Sequence, residues 1–570
     1  MSRPGLFLGR SSRGHLASIG REGACPRLSA YPRIHMPSPL QRAAALATAA
    51  AATCALAFAP ALAASAAVVP DPVEYSADDA AISLTPVGTY DTGIIEESAA
   101  EIVAHYDGRL FVVSAQAGSV QVLDATDVGA LAKEYEITSD GVANSVAIRK
   151  DGLGIAAFEA PVKTDPGHLV FFDARADEPT VLGTVTVGAQ PDNVVITPDG
   201  RFALTANEGE PAEDFSTDPE GSVSIVRLST PQVLAAKQKD VSTADFHAYE
   251  NGALPAGVRV FGPTPNGADH PVSRNLEPEY ISVVGNTANV ALQEANAVAV
   301  VQIPSARVTG ILPLGFADHG AVPLDPSDQD GSFAQRTYPG LYGMHLPDGI
   351  AAYQAGGSSY LVTANEGDAR EWGSYVEGAR ANKLKICADS PLAGKTGSAD
   401  LGRLNVTKEL GFDAAQGCYA NLYAFGTRSF SIWTTDGAQV FDSGAQFEQI
   451  TYAAEPAFVN SNHEDANLEG RSDDKGPEPE NLTIGEVDGR TYAFIGFERV
   501  GGVAVYDITV PSEAFFVTYV NNRDFATNTG DLGPEGLSFI PAAESSTGTP
   551  LVAVANEVSG STTLFEVATR

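Results

Sequence analysis

The chain is dominated by short runs in which apolar and polar residues alternate, the period of two that marks half-buried β-strands. Ser119-Val-Gln-Val-Leu-Asp124, His168-Leu-Val-Phe-Phe-Asp173, Ser222-Val-Ser-Ile-Val226, Val298–Ile303, Ser429–Trp433, Val503–Asp507 and Thr562–Glu566 are of this kind. Each is the third segment of a longer unit. A unit opens on a small residue or Pro, then an acid or Asn, then an apolar residue two places on. The seven openings are Ala100-Glu101, Ala143-Asn144, Pro191-Asp192, Pro278-Glu279, Pro347-Asp348, Pro479-Glu480 and Pro534-Glu535. A second β-rich segment then ends in Gln116, Glu159, Glu208, Glu294, Glu366, Glu498 or Glu557. The ending is sharpest at Ala206-Asn207-Glu208, Ala364-Asn365-Glu366 and Ala555-Asn556-Glu557. A fourth segment, such as Thr180–Val187 or Phe515–Val520, closes most units.

Seven tandem four-stranded units predict an all-β fold, a seven-bladed β-propeller of antiparallel blades around a central channel. The last unit stops at its third segment, and Ala81–Gly93 reads as a strand with no partner nearby in sequence. Joining this N-terminal strand to the last blade would close the ring and cover an exposed edge. Spacing between openings is irregular, and the excess falls in Gly-, Pro-, Asp- and Asn-rich inserts: Glu210–Gly221, Thr230–Ala256, Ser305–Tyr342, Asp368–Phe425 and Asn460–Pro477. They are expected to be loops.

Composition changes this picture at the N-terminus. Ala43–Val69 is uncharged, rich in Ala and Leu, preceded by Arg42 and broken by small residues at Ala61–Ala64, the pattern of a secretory signal peptide. Residues 1–66 are therefore expected to be a leader, with Met36 as an alternative start and an uncleaved anchor as the alternative fate. Residues 67–570 are expected to form one propeller domain, because roughly 500 residues exceed one ordinary core and no linker divides them. Cys25 and Cys54 fall in the leader. In an oxidising compartment the remaining pair, Cys387 and Cys418 in the largest insert, is expected to form a disulfide, free thiols being the alternative.

The formal charge is −36 and becomes more negative once the Arg-rich leader is removed. Such a field repels nucleic acid and anionic lipid and favours cations. Its placement is informative. The first two strands of a blade form a hairpin, so the start of one and the end of the other share a sheet edge. Up to twelve carboxylates should then encircle one mouth of the channel. Crowded acids need compensation by cations or by Arg and Lys. Oxygen ligands of this kind suit Ca²⁺, with another divalent cation as the alternative. The candidate pairs are Glu366 with Asp368, Glu480 with Asp474 and Glu535 with Asp531; Glu208, Glu279, Asp348, Glu498 and Glu557 complete the set. Asn207, Asn365, Asn481 and Asn556 offer amide oxygens beside them. A plain alternative is that these acids and amides only accept backbone N–H bonds at turns.

Basic residues near rim acids are Arg370, Lys475, Arg499 and Arg523. Nucleophile-elbow, zinc-protease, phosphate-loop and dinucleotide motifs are absent from the sequence. Of nine His, His463 alone stands in a polar acidic cluster, and it reads as a solvated loop residue. Trp372 and Trp433 read as packing residues.

Four segments, Leu361–Glu371 (LVTANEGDARE), Arg471–Glu480 (RSDDKGPEPE), Leu422–Trp433 (LYAFGTRSFSIW) and Asn521–Leu537 (NNRDFATNTGDLGPEGL), make the chain resemble the choice-of-anchor I family of exported bacterial proteins. That family is in turn similar to the mesenchyme-specific cell surface glycoprotein of echinoderms. The resemblance spans nearly all the mature chain and implies a YVTN/WD40-like propeller that is exported and often surface-attached. Where many relatives carry an Asp/Gly-rich, calcium-loop-like run, this chain has Gly411–Ala420 with Cys418. Some relatives are labelled alkaline phosphatases; fold and family alone do not establish an activity.

The resulting expectation is a secreted, extracellular or periplasmic monomer that binds Ca²⁺ at its acidic mouth and acts as a binding, matrix or interaction protein. Its partner would be an extracellular ligand or surface component, with no nucleic acid and no membrane insertion of the mature chain. The alternative is a metal-dependent phosphoesterase, alkaline phosphatase- or phytase-like, using the same rim with Arg370, Lys475 or Arg499 neutralising the phosphate.

Overall fold

The computed structural model describes residues 67–262 and 271–570. The expected leader, residues 1–66, lies outside them. Seven antiparallel meanders account for most of the strands. The first sheet holds Val103–Tyr106, Arg109–Ser114, Ser119–Asp124 and Ala132–Thr138; the second Val142–Ile148, Leu153–Glu159, Pro166–Asp173 and Val181–Ala189. The third holds Pro191–Ile196, Phe202–Asn207, Ser222–Arg227 and Val241–Ala244; the fourth Ile281–Val284, Thr287–Leu292, Ala297–Gln302 and Arg307–Pro313. The fifth is Ile350–Ala355, Ser358–Ala364, Phe430–Thr434 and Gln439–Asp442, and the sixth Pro479–Val487, Arg490–Phe497, Val503–Asp507 and Phe515–Asn521. The seventh is Pro534–Ile540, Leu551–Asn556, Ser561–Thr569 and, from the other end of the chain, Ile82–Asp91.

That last pairing runs from Ile82 opposite Thr569 to Asp91 opposite Ser561. The strand expected at Ala81–Gly93 thus completes the sheet that lacked its outer member. A further strand, Val73–Ser76, had no signal in the alternation. It pairs with Phe515–Asn521, as in Val73 opposite Asn521, and gives the sixth sheet a fifth strand. Both N-terminal strands cover edges that would otherwise be open to other chains.

The first strands touch one another in order. Val103–Tyr106 lies against Val142–Ile148, then come Pro191–Ile196, Ile281–Val284, Ile350–Ala355, Pro479–Val487 and Pro534–Ile540, which itself contacts Val103–Tyr106. Second strands are buried on both faces, Leu153–Glu159 and Leu551–Asn556 throughout their lengths. Face-to-face packing explains why they read as continuous apolar runs. Between the first and second sheets, Phe111 and Val122 meet Ala156, Phe158 and Phe172. Each such aromatic contributes roughly 1.5–3 kcal/mol by leaving water.

The stretches expected as plain loops at Ser305–Tyr342 and Asp368–Phe425 build a sheet of their own. Phe316–Asp318, Leu341–Met344, Leu422–Ala424, Asn405–Thr407 and Gly378–Arg380 lie side by side, over a core that includes Leu341, Leu401, Leu404, Val406 and Leu422. Strands of three or four residues are too short for a period of two to register in sequence. Cys387 and Cys418 form the expected disulfide beside this core. The helix Gln446–Ala454 packs Phe447 against Phe497 at 4.6 Å and Phe430 at 6.0 Å. No helix among the described residues is long and apolar enough to cross a membrane.

Candidate functional site

In six of the seven sheets the acid or Asn that opens the unit sits where the first strand bulges or its pairing slips. Register slips between Ala143 and Ser145, Pro191 and Val194, Pro479 and Leu482, and Pro534 and Gly536, bracketing Asn144, Asp192, Glu480 and Glu535. In the first sheet Glu101 and Ile102 both bond Val113, and in the fourth Glu279 and Tyr280 both bond Ala291. A bulge bends a strand and re-aims the side chain it carries. The acids that end the second strands are fixed from their backbone. The N–H groups of Glu208, Glu498 and Glu557 donate to the carbonyls of Gln190, Glu478 and Gly533, each within two residues of an opening acid. One closure repeated from sheet to sheet therefore places the two kinds of carboxylate together.

Two groups of three result. Glu366, Glu480 and Glu498 bring carboxylate oxygens within 4.8 Å of one another, and so do Glu101, Glu535 and Glu557. Each joins the two acids of one sheet to one acid of its neighbour. Buried oxygens of Glu279, Glu294, Glu480 and Glu535 have no hydrogen-bond partner. Burial pushes the carboxyl of Asp192 up to about 7. Glu498 reaches about 8, burial outweighing Arg499. Glu480 rises well above the usual range through burial and then through Glu366 and Glu498; Glu535 does so through burial, Glu101 and Glu557. The phenol of Tyr280 in the fourth sheet is raised by burial and then by Asp348, Asp192, Glu535 and Glu480, acids of four other sheets. Such a face either holds protons or gathers cations.

Cations of the chain itself serve one side. Lys475 reaches Glu366, lies 3.1 Å from Glu478 and 3.7 Å from Asp368. Arg499 pairs with Glu498 at 2.8 Å and Glu478 at 3.3 Å. Glu478 also takes Arg471 at 2.6 Å. Burial would raise its carboxyl, yet Arg471, Lys475 and Arg499 together hold it far below the usual range. Glu478 is thus the hub of a charge cluster beside the acidic face. Arg471 and Lys475 come from the turn that leads into Glu478 and Arg499 from the end of the next strand; what the sequence did not show is that the turn folds back and buries Glu478 among them.

Other expected pairings are not brought together. Asp474 pairs with Arg380 at 2.9 Å and Arg471 at 3.1 Å instead of approaching Glu480. Asp531 accepts the hydroxyls of Ser561 at 3.0 Å and Thr563 at 2.8 Å inside the seventh sheet, apart from the group containing Glu535. Arg370 is buried between Phe261 and Trp372 and donates to Glu277 at 2.7 Å and Asn275 at 2.9 Å. Arg523 spends its donors on Asn528 and the carbonyls of Asn462 and Val500. Asn207, Asn365 and Asn556 point into their sheets, their amides donating to Ser224, Ser431 and Ser561 at 3.0, 2.9 and 3.2 Å. Period two sends each Asn inward and the next Glu outward, so the Asn-Glu ending is half structural. Asn481 accepts the N–H of Leu482 at 2.8 Å. His463, expected in solvent, is buried against Arg499 at 2.8 Å; burial and then Arg499 push its imidazole down to about 3. Trp433 packs and donates to Thr363 at 2.9 Å.

Repeated four-stranded sheets of blade form, with acids gathered at one sheet edge, define the class. The chain belongs to the choice-of-anchor I family, whose domain matches residues 101–511. It is similar to Gigasin-3a of Magallana gigas, 28% identical over 185 residues, covering 29% of this chain and 64% of that protein. It is also similar to the mesenchyme-specific cell surface glycoprotein of Strongylocentrotus purpuratus, 27% identical over 322 residues, covering 47% of this chain and 40% of that one. The match thus spans less than two thirds of either relative. Among solved structures, hydrazine synthase of Kuenenia stuttgartiensis superposes with TM-score 0.44 at 12% identity, over 84% of this chain and 100% of that one. Saccharomyces cerevisiae Sqt1 gives 0.37 at 8%, over 84% and 98%. Likeness at this level has no bearing on function.

Proposed function

We propose that this chain is a secreted or surface-held seven-bladed β-propeller that binds divalent cations, Ca²⁺ foremost, at its acidic mouth and works as a binding or matrix protein. The ring reading is supported by the chain of contacts between first strands, which returns from Pro534–Ile540 to Val103–Tyr106. Its extracellular setting is supported by the family and by the cell-surface name of the sea urchin relative. The observation that carries cation binding is the convergence of Glu101, Glu535 and Glu557 with a buried Glu535 oxygen that nothing else satisfies. Oxygen-only donors select Ca²⁺ or Mg²⁺ over zinc or copper. Elemental analysis of purified protein, with melting followed in Ca²⁺ and in chelator, tests this reading. Absence of bound metal together with an unchanged melting temperature would overturn it.

A second reading is favoured by Lys475 and Arg499, which stand beside Glu366, Glu480 and Glu498 as phosphate-neutralising groups stand beside metals in phosphoesterases. In that version the acids hold the metal ions and the two cations take the ester. Hydrolysis of phosphomonoesters and phosphodiesters with added Ca²⁺ separates the two: bound metal without turnover leaves binding alone.

A further inference from the structure

A third cluster uses none of the mouth carboxylates. Asp325 and Asp330 lie on the excursion between Phe316–Asp318 and Leu341–Met344; Glu469 lies between the helix Gln446–Ala454 and the strand Pro479–Val487. Their oxygens fall within 4.8 Å of one another. Asp325 is 0% and Glu469 1% exposed, and Oε1 of Glu469 has no hydrogen-bond partner. An ionised carboxylate buried with an unsatisfied oxygen is costly unless a cation completes it.

The surrounding charges are accounted for residue by residue. Asp330 pairs with Arg336 at 2.5 Å. The neighbouring Glu448 is neutralised by Arg428 at 2.6 Å, and Arg428 also donates to the Asp325 carbonyl at 2.7 Å. Asp325 accepts the N–H of Ala334 at 3.1 Å, which fixes one of its oxygens. Three carboxylates against one guanidinium leave two negative charges, the complement of one divalent ion.

We propose that Asp325, Asp330 and Glu469 form a structural Ca²⁺ site that clamps the 325–334 excursion to the segment leading into the sixth sheet. The donors are all oxygen, with no His or Cys, which disfavours zinc. Oxygens on opposite sides of a Ca²⁺ ion stand at most about 5 Å apart, given bonds of roughly 2.3–2.6 Å, so the observed spacing fits around one ion with waters completing the shell. The clamp also bears on the mouth. Arg428, held under Asp325, donates to the carbonyls of Ser472 at 2.7 Å and Asp474 at 3.1 Å, fixing the turn that presents Lys475.

Calcium titration of the full, chelator-treated chain, with elemental analysis and limited proteolysis, tests the site independently of the mouth. Glu469→Gln should bind one Ca²⁺ fewer per chain than wild type, and its 321–336 stretch should be cut equally fast with and without chelator. In wild type, chelator should accelerate that cut. Glu535→Gln should leave the cut protected by Ca²⁺. Should Glu469→Gln fail to fold, Asp330→Asn, on the more accessible ligand, gives the same comparison. Unchanged stoichiometry in these variants, or wild-type cleavage indifferent to chelator, would overturn the proposal and leave Asp325 and Glu469 sharing a proton.

Discussion

The two carboxylate groups, Glu366 with Glu480 and Glu498, and Glu101 with Glu535 and Glu557, are built by the same repeat and differ in what surrounds them. Glu366, Glu480 and Glu498 have Lys475 and Arg499 among them, both also bonded to the buried Glu478. Glu101, Glu535 and Glu557 have the hydroxyl of Ser98 at 3.4 Å from Glu557, and Arg499 acts on Glu557 only as a distant charge. The repeat sets where carboxylates go. The insert before the sixth sheet sets which of them stay uncompensated. A cation from solvent therefore gains more at the second group, where it replaces nothing, than at the first, where it competes with Lys475.

Removing the internal cation has the largest expected effect. Lys475→Met leaves Glu366 and Glu478 facing each other with one positive charge fewer, and breaking a buried pair in this way costs about 3–5 kcal/mol. Urea denaturation measures it. If the contrast between the groups is real, part of this loss is recovered by Ca²⁺, because the first group then resembles the second. A cost below about 1 kcal/mol, the range of exposed pairs, would erase the distinction.

Next in size is the gain from calcium. One saturable site adds about 2.7 kcal/mol when free Ca²⁺ stands at a hundred times its dissociation constant. Glu535→Gln should abolish most of the mouth's share of the calcium-dependent rise in melting temperature, and Glu480→Gln should abolish little. Equal losses would show that Lys475 does not discriminate between the groups. Smaller again is Asn365→Ala, which strips Ser429 and Ser431 of an amide partner and should cost roughly 1–3 kcal/mol without altering Ca²⁺ binding. A change in calcium affinity there would place the Asn amide oxygens among the ligands.

Much of this was legible in the sequence because a repeat multiplies weak signals. One alternation of six residues, such as Ser119–Asp124, proves little; seven with an acid at a fixed place imply a sheet edge. The spare strand at the N-terminus and the pairing of Cys387 with Cys418 were legible for the same reason, each filling a gap left by the rest. What stayed hidden depends on contacts remote in sequence. Val73–Ser76 is four residues long and half exposed. Glu478 has Arg471 and Lys475 close by along the chain, but its burial among them and its third partner, Arg499, follow from how the insert folds onto the sixth sheet, and Asp325, Asp330 and Glu469 meet only because two inserts pack together. Asn207 and Asn365, expected to offer amide oxygens beside the acids, turn inward, because proximity along the chain says nothing about which face of a strand a residue takes.

The smallest effect is a slope with pH, and it needs a window in which the carboxylates act alone. His463 and His319, buried with imidazoles pushed down to about 3 and about 4, make the fold more stable as pH rises toward the ordinary His range near 6.5, and contribute nothing further above it. Glu159, Asp192 and Glu294 at about 7 and Glu498 at about 8 work in the opposite sense. Their unfolded counterparts are fully ionised by pH 6.5 while the folded groups still hold protons, so the folded chain binds more protons and loses stability as pH climbs through 7 and 8. In chelator the stability, followed by the melting temperature, should therefore fall between about pH 6.5 and 8.5, by no more than about 1.4 kcal/mol per pH unit for each such group. Saturating Ca²⁺ should flatten the slope, since a bound ion stabilises the ionised carboxylates. A slope that is flat in chelator, or rises, would mean that these four carboxylates are already ionised at neutral pH, compensated by the chain's own cations.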